Sequence, residues 1–131
     1  MDSLSPGNDK IVGKAPCIVV TLDGLLATGV VVPPRVIKLD VEGSEMSALR
    51  GAERLLSSDA PPVLILEINP SIQARFGYQP RDMLTFLRKT NDYVIFWLSR
   101  GGLQEVEVGS ELPHCQIHGK NFGANYLVIH Q

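Results

Sequence analysis

Apolar residues fall along this chain in short, bounded runs, and the spacing within each run predicts the elements. Residues 17–20 are a brief β-branched run. Thr21-Leu22-Asp23-Gly24-Leu25-Leu26 follows, where Thr21 or Asp23 can cap a short helix that Gly29 ends. After the Pro33-Pro34 breaker, residues 36–41 read as a strand. A helix from about Ser44 to Ser57 comes next, with Met46, Leu49, Ala52, Leu55 and Leu56 on one side. Gly51 inside it predicts close packing of helix on sheet. Pro61-Pro62 introduces Val63-Leu64-Ile65-Leu66-Glu67-Ile68, nearly continuous in apolar residues, as in a parallel strand covered on both faces. Asn69-Pro70 is expected to stop that strand. A loop through Phe76-Gly77-Tyr78 then leads to Pro80, in the first turn of a helix whose buried stripe is Met83, Leu84, Phe86 and Leu87. Asn91-Asp92 closes this helix. Residues 93–98 form a strand, Ser99-Arg100-Gly101-Gly102 a hairpin turn, and residues 103–108 alternate like a half-exposed outer strand. Residues 109–122 read as loop and 125–129 as the last strand. The chain is thus an α/β protein ordered β-α-β-α-β-β-β after a short first unit.

Composition narrows the class. With 131 residues, 44% of them hydrophobic and 20% charged, the chain fits one soluble globular domain. Residues 1–16, rich in Ser, Pro, Gly, Asn and Asp without periodicity, predict a flexible N-terminal arm ahead of a domain spanning 17–131. A net charge of -2 with dispersed lysines and arginines argues against a nucleic-acid partner. Cys17 and Cys115 form no CxxC pair and predict free thiols in a reducing compartment. No stretch reaches the roughly twenty apolar residues of a membrane span. The first ten residues lack a signal-peptide pattern, so the expected location is cytoplasmic.

The candidate chemistry sits in Val36-Ile37-Lys38-Leu39-Asp40-Val41-Glu42-Gly43-Ser44-Glu45, where an apolar strand delivers carboxylates and a glycine at the start of a helix. Ligands of open α/β sheets bind beyond the carboxyl ends of the strands. Asp40 and Glu42 share strand parity and face one way, and Gly43 permits a close turn. Asp40 is suited to orient substrate or take a hydroxyl proton; the alternative is a cap on the next helix. Glu42 can accept hydrogen bonds from a substrate hydroxyl or amine, or satisfy backbone donors beside Gly43. Glu45 belongs in the first helical turn, where the helix dipole favours a negative charge. Glu67 interrupts an apolar strand and is expected beside Asp40, since a carboxylate buried alone would be driven neutral. Lys38 offers a buried ion pair to Asp40 or Glu67, costly to break from one side. Three carboxylates holding Mg2+ rank below acid-base work, because nothing fixes octahedral geometry. His114-Cys115-Gln116-Ile117-His118 lacks the second pair of ligands that zinc requires and reads as loop. His130 is expected at the surface, and Tyr78 and Trp97 in the core or along an acceptor pocket.

The block from Ile37 to Glu45, then Leu49-Arg50-Gly51-Ala52, then Leu64-Ile65-Leu66-Glu67-Ile68, resembles the centre of FkbM-family S-adenosylmethionine-dependent methyltransferases. Thr21-Leu22-Asp23 and Tyr93-Val94-Ile95-Phe96 are similar in order and spacing. The resemblance implies a partial Rossmann-like methyltransferase sheet, parallel strands with a carboxyl-terminal antiparallel hairpin. It also implies S-adenosylmethionine as cofactor and O-methyl transfer to a small-molecule or sugar hydroxyl. Asp40, Glu42 and Glu67 are then the catalytic candidates, Asp40 first. The Gly-rich loop and the second-strand acid of that fold do not precede Asp40. The expectation is therefore a domain truncated on its N-terminal side, with an incomplete cofactor site. An apolar edge strand left open would draw a second copy or another chain. A non-catalytic α/β interaction module derived from the same fold is the competing expectation.

Overall fold

The computed structural model describes residues 13, 15–107, 109, 112, 115–117 and 120–131, with 115–117 and 120–122 by backbone alone. In chain order the elements are α1 (Leu22–Ala27), β1 (Val36–Leu39), α2 (Glu45–Arg50), α3 (Glu53–Leu56), β2 (Val63–Ile68), α4 (Pro70–Arg75) and α5 (Pro80–Thr90). Then come β3 (Tyr93–Ser99), β4 (Gly102–Glu105), β5 (Cys115–Ile117), β6 (Lys120–Phe122) and β7 (Ala124–His130).

The mixed α/β fold is built on a five-stranded sheet of order β1-β2-β7-β3-β4, with β5 and β6 forming a separate hairpin. Only β1 and β2 pair in parallel, Val36 opposite Val63 through Leu39 opposite Leu66. Strand β7 is antiparallel to both β2 and β3, so β3 runs in the same direction as β1 and β2. The expected antiparallel hairpin is present as β3–β4, and the last strand, β7, lies between β2 and β3. Its register explains why. Leu64 faces Val128, which faces Ile95, and Leu66 faces Tyr126, and all five are buried. An apolar row thus crosses three strands, the arrangement a period-two pattern selects.

Helices α2, α3 and α5 cover that row through Met46, Leu49, Leu56, Met83, Leu84 and Leu87. Phe86, expected in the stripe, is only partly buried against the cluster. On β2 the buried residues Leu64, Leu66 and Ile68 alternate with half-buried Val63, Ile65 and Glu67. One face is sealed and the other partly covered, contrary to the expectation of two covered faces.

The helix expected across 44–57 is broken at Gly51-Ala52, and the cause is α1. The Gly51 carbonyl accepts from Asp23 N at 2.9 Å, and a Cβ at Gly51 would lie 3.3 Å from the Thr21 side chain. Close packing at Gly51 is therefore against the start of α1 and not the sheet. Thr21 caps its own helix through Gly24 N at 3.0 Å. Asp23 caps a different one: its carboxylate accepts from Arg54 N (2.8 Å) and Leu55 N (3.1 Å) at the start of α3.

Asn69-Pro70 stops β2 but also opens α4, where the sequence pattern predicts only loop. Asn69 Oδ1 accepts from Ile72 N, and proline occupies the first turn, where its missing N–H costs nothing. Two shorter departures follow. The 109–122 loop contains the β5–β6 hairpin, and β4 ends at Glu105, after which Val106 turns inward and donates to Ile95 O at 2.8 Å. Residues 17–20 form no strand and are exposed, Ile18 by 92%. Among the described residues no helix is long and apolar enough to cross a membrane.

Strand β1 lies at the sheet edge, as expected of an open side, with Val36 exposed by 56%. Beside it an apolar groove of about 570 Å³ is lined by Val20, Leu25, Ile37, Leu39, Val41 and Phe76 among others.

Candidate functional site

The chain leaves β1 at Leu39 and reverses over residues 40–44 into α2. Two consecutive residues take positive φ there, Glu42 at 49° and Gly43 at 102°. For a non-glycine residue such a conformation costs of order 1–3 kcal/mol and persists only where the surroundings impose it. Here they do. Glu45 Oε1 accepts from Val41 N (3.2 Å) and Gly43 N (3.1 Å), and Ser44 N closes the turn on Val41 O at 3.2 Å. A side chain at 43 would run into the Phe76 ring, so only glycine fits.

Glu45 lies in the first turn of α2, as expected, and is in addition tied into the turn before it. It is 2% exposed, and its Oε2 accepts from Tyr78 Oη at 2.8 Å. Tyr78 Oη also lies 2.9 Å from Gly43 O. Burial, reinforced by the Glu45 carboxylate, raises the Tyr78 phenol above its ordinary pKa, so it remains a donor. Tyr78 thus belongs to the frame of the turn.

The parallel register of β1 and β2 ends with Leu39 opposite Leu66, so the next residues, Asp40 and Glu67, meet as expected. Their carboxyls share a hydrogen bond. Lys38 Nζ lies 2.7 Å from Asp40 Oδ2, and both side chains are substantially exposed, 60% and 39%. The pair expected to be buried is therefore a solvated one. Lys38, and then the hydrogen bond with Glu67, hold Asp40 below the usual carboxylate range. Glu67 moves the other way, pushed up first by desolvation, then by the bond to Asp40 and the charges of Asp40 and Glu42. The two form an acid-base pair in which Asp40 carries the charge and Glu67 keeps the proton more tightly. Gly123, just before β7, leaves the room Glu67 needs, since a Cβ there would strike Glu67 Oε1.

Asp40, Glu42, Glu45, Glu67, Asn69 and Gln73 line one small recess of about 10 Å³, room for one water-sized group. Asp40 and Glu42 stand exposed at its rim, and Glu45 and Gln73 are buried. Gln73 is 1% exposed; its Nε2 is directed to Met83 Sδ at 3.4 Å, and Oε1 has no partner. Gln73 lies on α4, which the periodicity of the sequence does not predict. A glutamine four residues beyond an Asn-Pro helix start was the available signal.

The other candidates lie elsewhere. Trp97 packs against the core, and His130, half-buried, meets the Tyr93 ring edge-on with centroids 6.1 Å apart. Cys17 is an exposed free thiol. His114, His118 and the side chain of Cys115 lie outside the described residues. Among the described residues no three His, Cys, Asp or Glu side chains are grouped so as to hold a metal ion.

The family model for the methyltransferase FkbM domain matches residues 3–95 of the chain. That span includes the turn after β1, both members of the Asp40–Glu67 pair and Gln73. No curated protein and no solved structure matches the chain.

Proposed function

This chain belongs to the methyltransferase FkbM domain family, and from that premise we propose that its carboxylate recess is the acceptor side of an S-adenosylmethionine-dependent O-methyltransferase. The sheet is then a Rossmann-like methyltransferase sheet, with β1 and β2 its parallel strands and β7 the inserted antiparallel one. The observation that carries the reading is the Asp40–Glu67 pair, joined at the carboxyl ends of neighbouring parallel strands. Asp40 is held toward its charged form and Glu67 is shifted toward its protonated one. An acceptor hydroxyl donating to Asp40 is oriented by that bond and has a base in reach as its proton is lost. The backbone frame of Glu45, Gly43 and Tyr78 fixes where Asp40 and Glu42 stand.

The cofactor itself is a poor fit to the described residues. The groove beside β1 has a suitable volume, but its polar side chains are Thr21, Ser44 and Ser47, and it carries no carboxylate for a ribose diol or an amino group. The groove's lining therefore does not by itself account for cofactor binding. No step through the cofactor is assigned to these side chains. Their part is to bind the acceptor, orient its hydroxyl and hold its proton.

The test is transfer of a labelled methyl group from S-adenosylmethionine to a panel of hydroxylated small molecules and sugars by the whole polypeptide. Transfer that falls on Asp40→Asn and Glu67→Gln, with the thermal melt unchanged, supports the reading. Transfer indifferent to both substitutions, or none to any hydroxyl acceptor, overturns it.

A further inference from the structure

A strand-forming segment and an open strand edge stand apart in this chain. Residues 17–20, Cys-Ile-Val-Val, carry the β-branched pattern of a strand. They nevertheless form none and lie exposed, Ile18 by 92% and Val19 by 71%. Strand β1 meanwhile has a neighbour on one side only. The Arg35 carbonyl accepts from Val63 N at 3.0 Å, so backbone alternation turns the N–H and C=O groups of Val36 and Lys38 to the open side. Edges are ordinarily defended by a free charge, a proline, a bulge or a covering element. Here the charge on the strand, Lys38, is engaged by Asp40 at 2.7 Å, and Val-Ile-Lys-Leu contains no proline. The apolar groove beside the edge is lined by Val19 and Val20 as well as by Ile37, Leu39 and Val41.

We propose that β1 is a dimerisation edge: residues 17–20 of a second copy lie along it as an added strand, and the exchange is reciprocal about a two-fold axis. The chain's own segment is held away from this position. Thr21 caps α1 through Gly24 N at 3.0 Å and packs on Gly51, between α2 and α3, so the segment is fastened in the helix layer and not in the sheet. Four residues span at most about 14 Å, too little to descend from that layer and also run along β1. A second copy approaches as a rigid body and has no such restraint. The area suffices. Ile18, Val19, Val20, Val36, Val41 and Phe76 are between 36% and 92% exposed. At roughly 100 Å² of apolar surface for a fully exposed side chain, they offer roughly 350 Å² per copy, or about 700 Å² for the pair. With the polar two-fifths that interfaces carry, the total is roughly 1,200 Å², the lower end for a stable interface. The affinity is therefore expected to be micromolar.

The experiment is sedimentation velocity of the whole protein from about 1 to 300 μM, with amide hydrogen exchange at both ends of that range. A monomer–dimer equilibrium with a midpoint of about 10 μM is expected, and slower exchange at Val36, Lys38 and residues 18–20 where the dimer is populated. Ile18→Asp places a charge where the side chain is 92% exposed in a single copy. It is expected to leave the melting midpoint unchanged and to weaken association at least about tenfold. Val36→Pro removes an outward N–H at the first residue of an edge strand, where proline is tolerated, and is expected to weaken association likewise. Should that variant unfold, Ile18→Asp and the exchange pattern decide. A protein monomeric at every concentration, an association that Ile18→Asp leaves unchanged, or a dimer without protection at Val36 and Lys38 overturns the inference. The edge then belongs to solvent or to a chain of different sequence. None of these readouts involves methyl transfer, so this inference and the proposed activity fail separately.

Discussion

Replacing Glu45 separates two accounts of the turn after β1. If its carboxylate merely opposed the dipole of α2, Glu45→Ala would cost about 0.3–1 kcal/mol. The structure assigns it three hydrogen bonds instead: from Val41 N, Gly43 N and Tyr78 Oη, at 3.2, 3.1 and 2.8 Å, around a side chain 2% exposed. Bonds to a charged acceptor contribute about 1.5–3 kcal/mol each, and a buried donor left unpaired costs a comparable amount. Tyr78 keeps Gly43 O as a partner, and water can reach Val41 N, so the expected net loss is about 3–5 kcal/mol. In a domain of this size that lowers the melting midpoint by roughly 10–20 °C. Glu45→Gln retains an oxygen for the two backbone donors and is expected to lose less than about 1.5 kcal/mol. Urea unfolding followed by circular dichroism, with a common slope for all variants, measures both. An alanine variant within about 1 kcal/mol of the parent would refute the buried-frame account and restore the dipole one.

Three further outcomes follow from the same geometry. Gly43→Ala forces a side chain onto a φ of 102° and into the Phe76 ring; a loss of about 2–3 kcal/mol is expected in the same unfolding assay, partly recovered when Phe76→Ala opens the space. Asp23→Ala removes the cap from Arg54 N and Leu55 N; it should cost about 1–2 kcal/mol and speed hydrogen exchange at those two amides, while Asp23→Asn retains most of the stability. The pair Asp40–Glu67 has opposite signs. Glu67 is raised from 4.5, so the folded state binds its proton more tightly, and that stability is lost as pH rises through the folded value. Asp40 is lowered from 3.8, so its contribution is lost as pH falls through the folded value. Glu67→Gln is therefore expected to flatten the decline above pH 4.5 in melting midpoint against pH. A decline that is unchanged in that variant would assign it to another group.

What could be read from the sequence was the part set by local rules. The apolar run of β2, proline at the start of α5 and the parity of Asp40 with the strand before it all depend on neighbours a few residues away, and each was legible. So was the approach of Glu67 to Asp40, since a carboxylate in an apolar strand needs a partner at the same strand end. The break at Gly51 was not, because it depends on Asp23 and Thr21 claiming the backbone of a helix about thirty residues on. The role of Glu45 was hidden for the same reason: Tyr78, its partner, arrives from beyond α4. Gln73 lay on a helix whose Asn-Pro start has the same two letters as a strand stop. The position of β7 was out of reach of periodicity altogether, since alternation tells which face a strand buries and says nothing of which strand it lies beside.

That position has a consequence for synthesis. β7 is the strand that joins β2 to β3, yet about sixty residues separate it from β2 along the chain. At roughly 5–20 residues per second, a nascent chain carries β2 for several seconds with one edge unsatisfied. Sheet closure is therefore late relative to translation. In that interval Glu67 does a second job: a charge inside an otherwise apolar strand is the gatekeeper that discourages one nascent β2 from zipping onto another. The carboxylate that equips the recess also guards the strand that carries it.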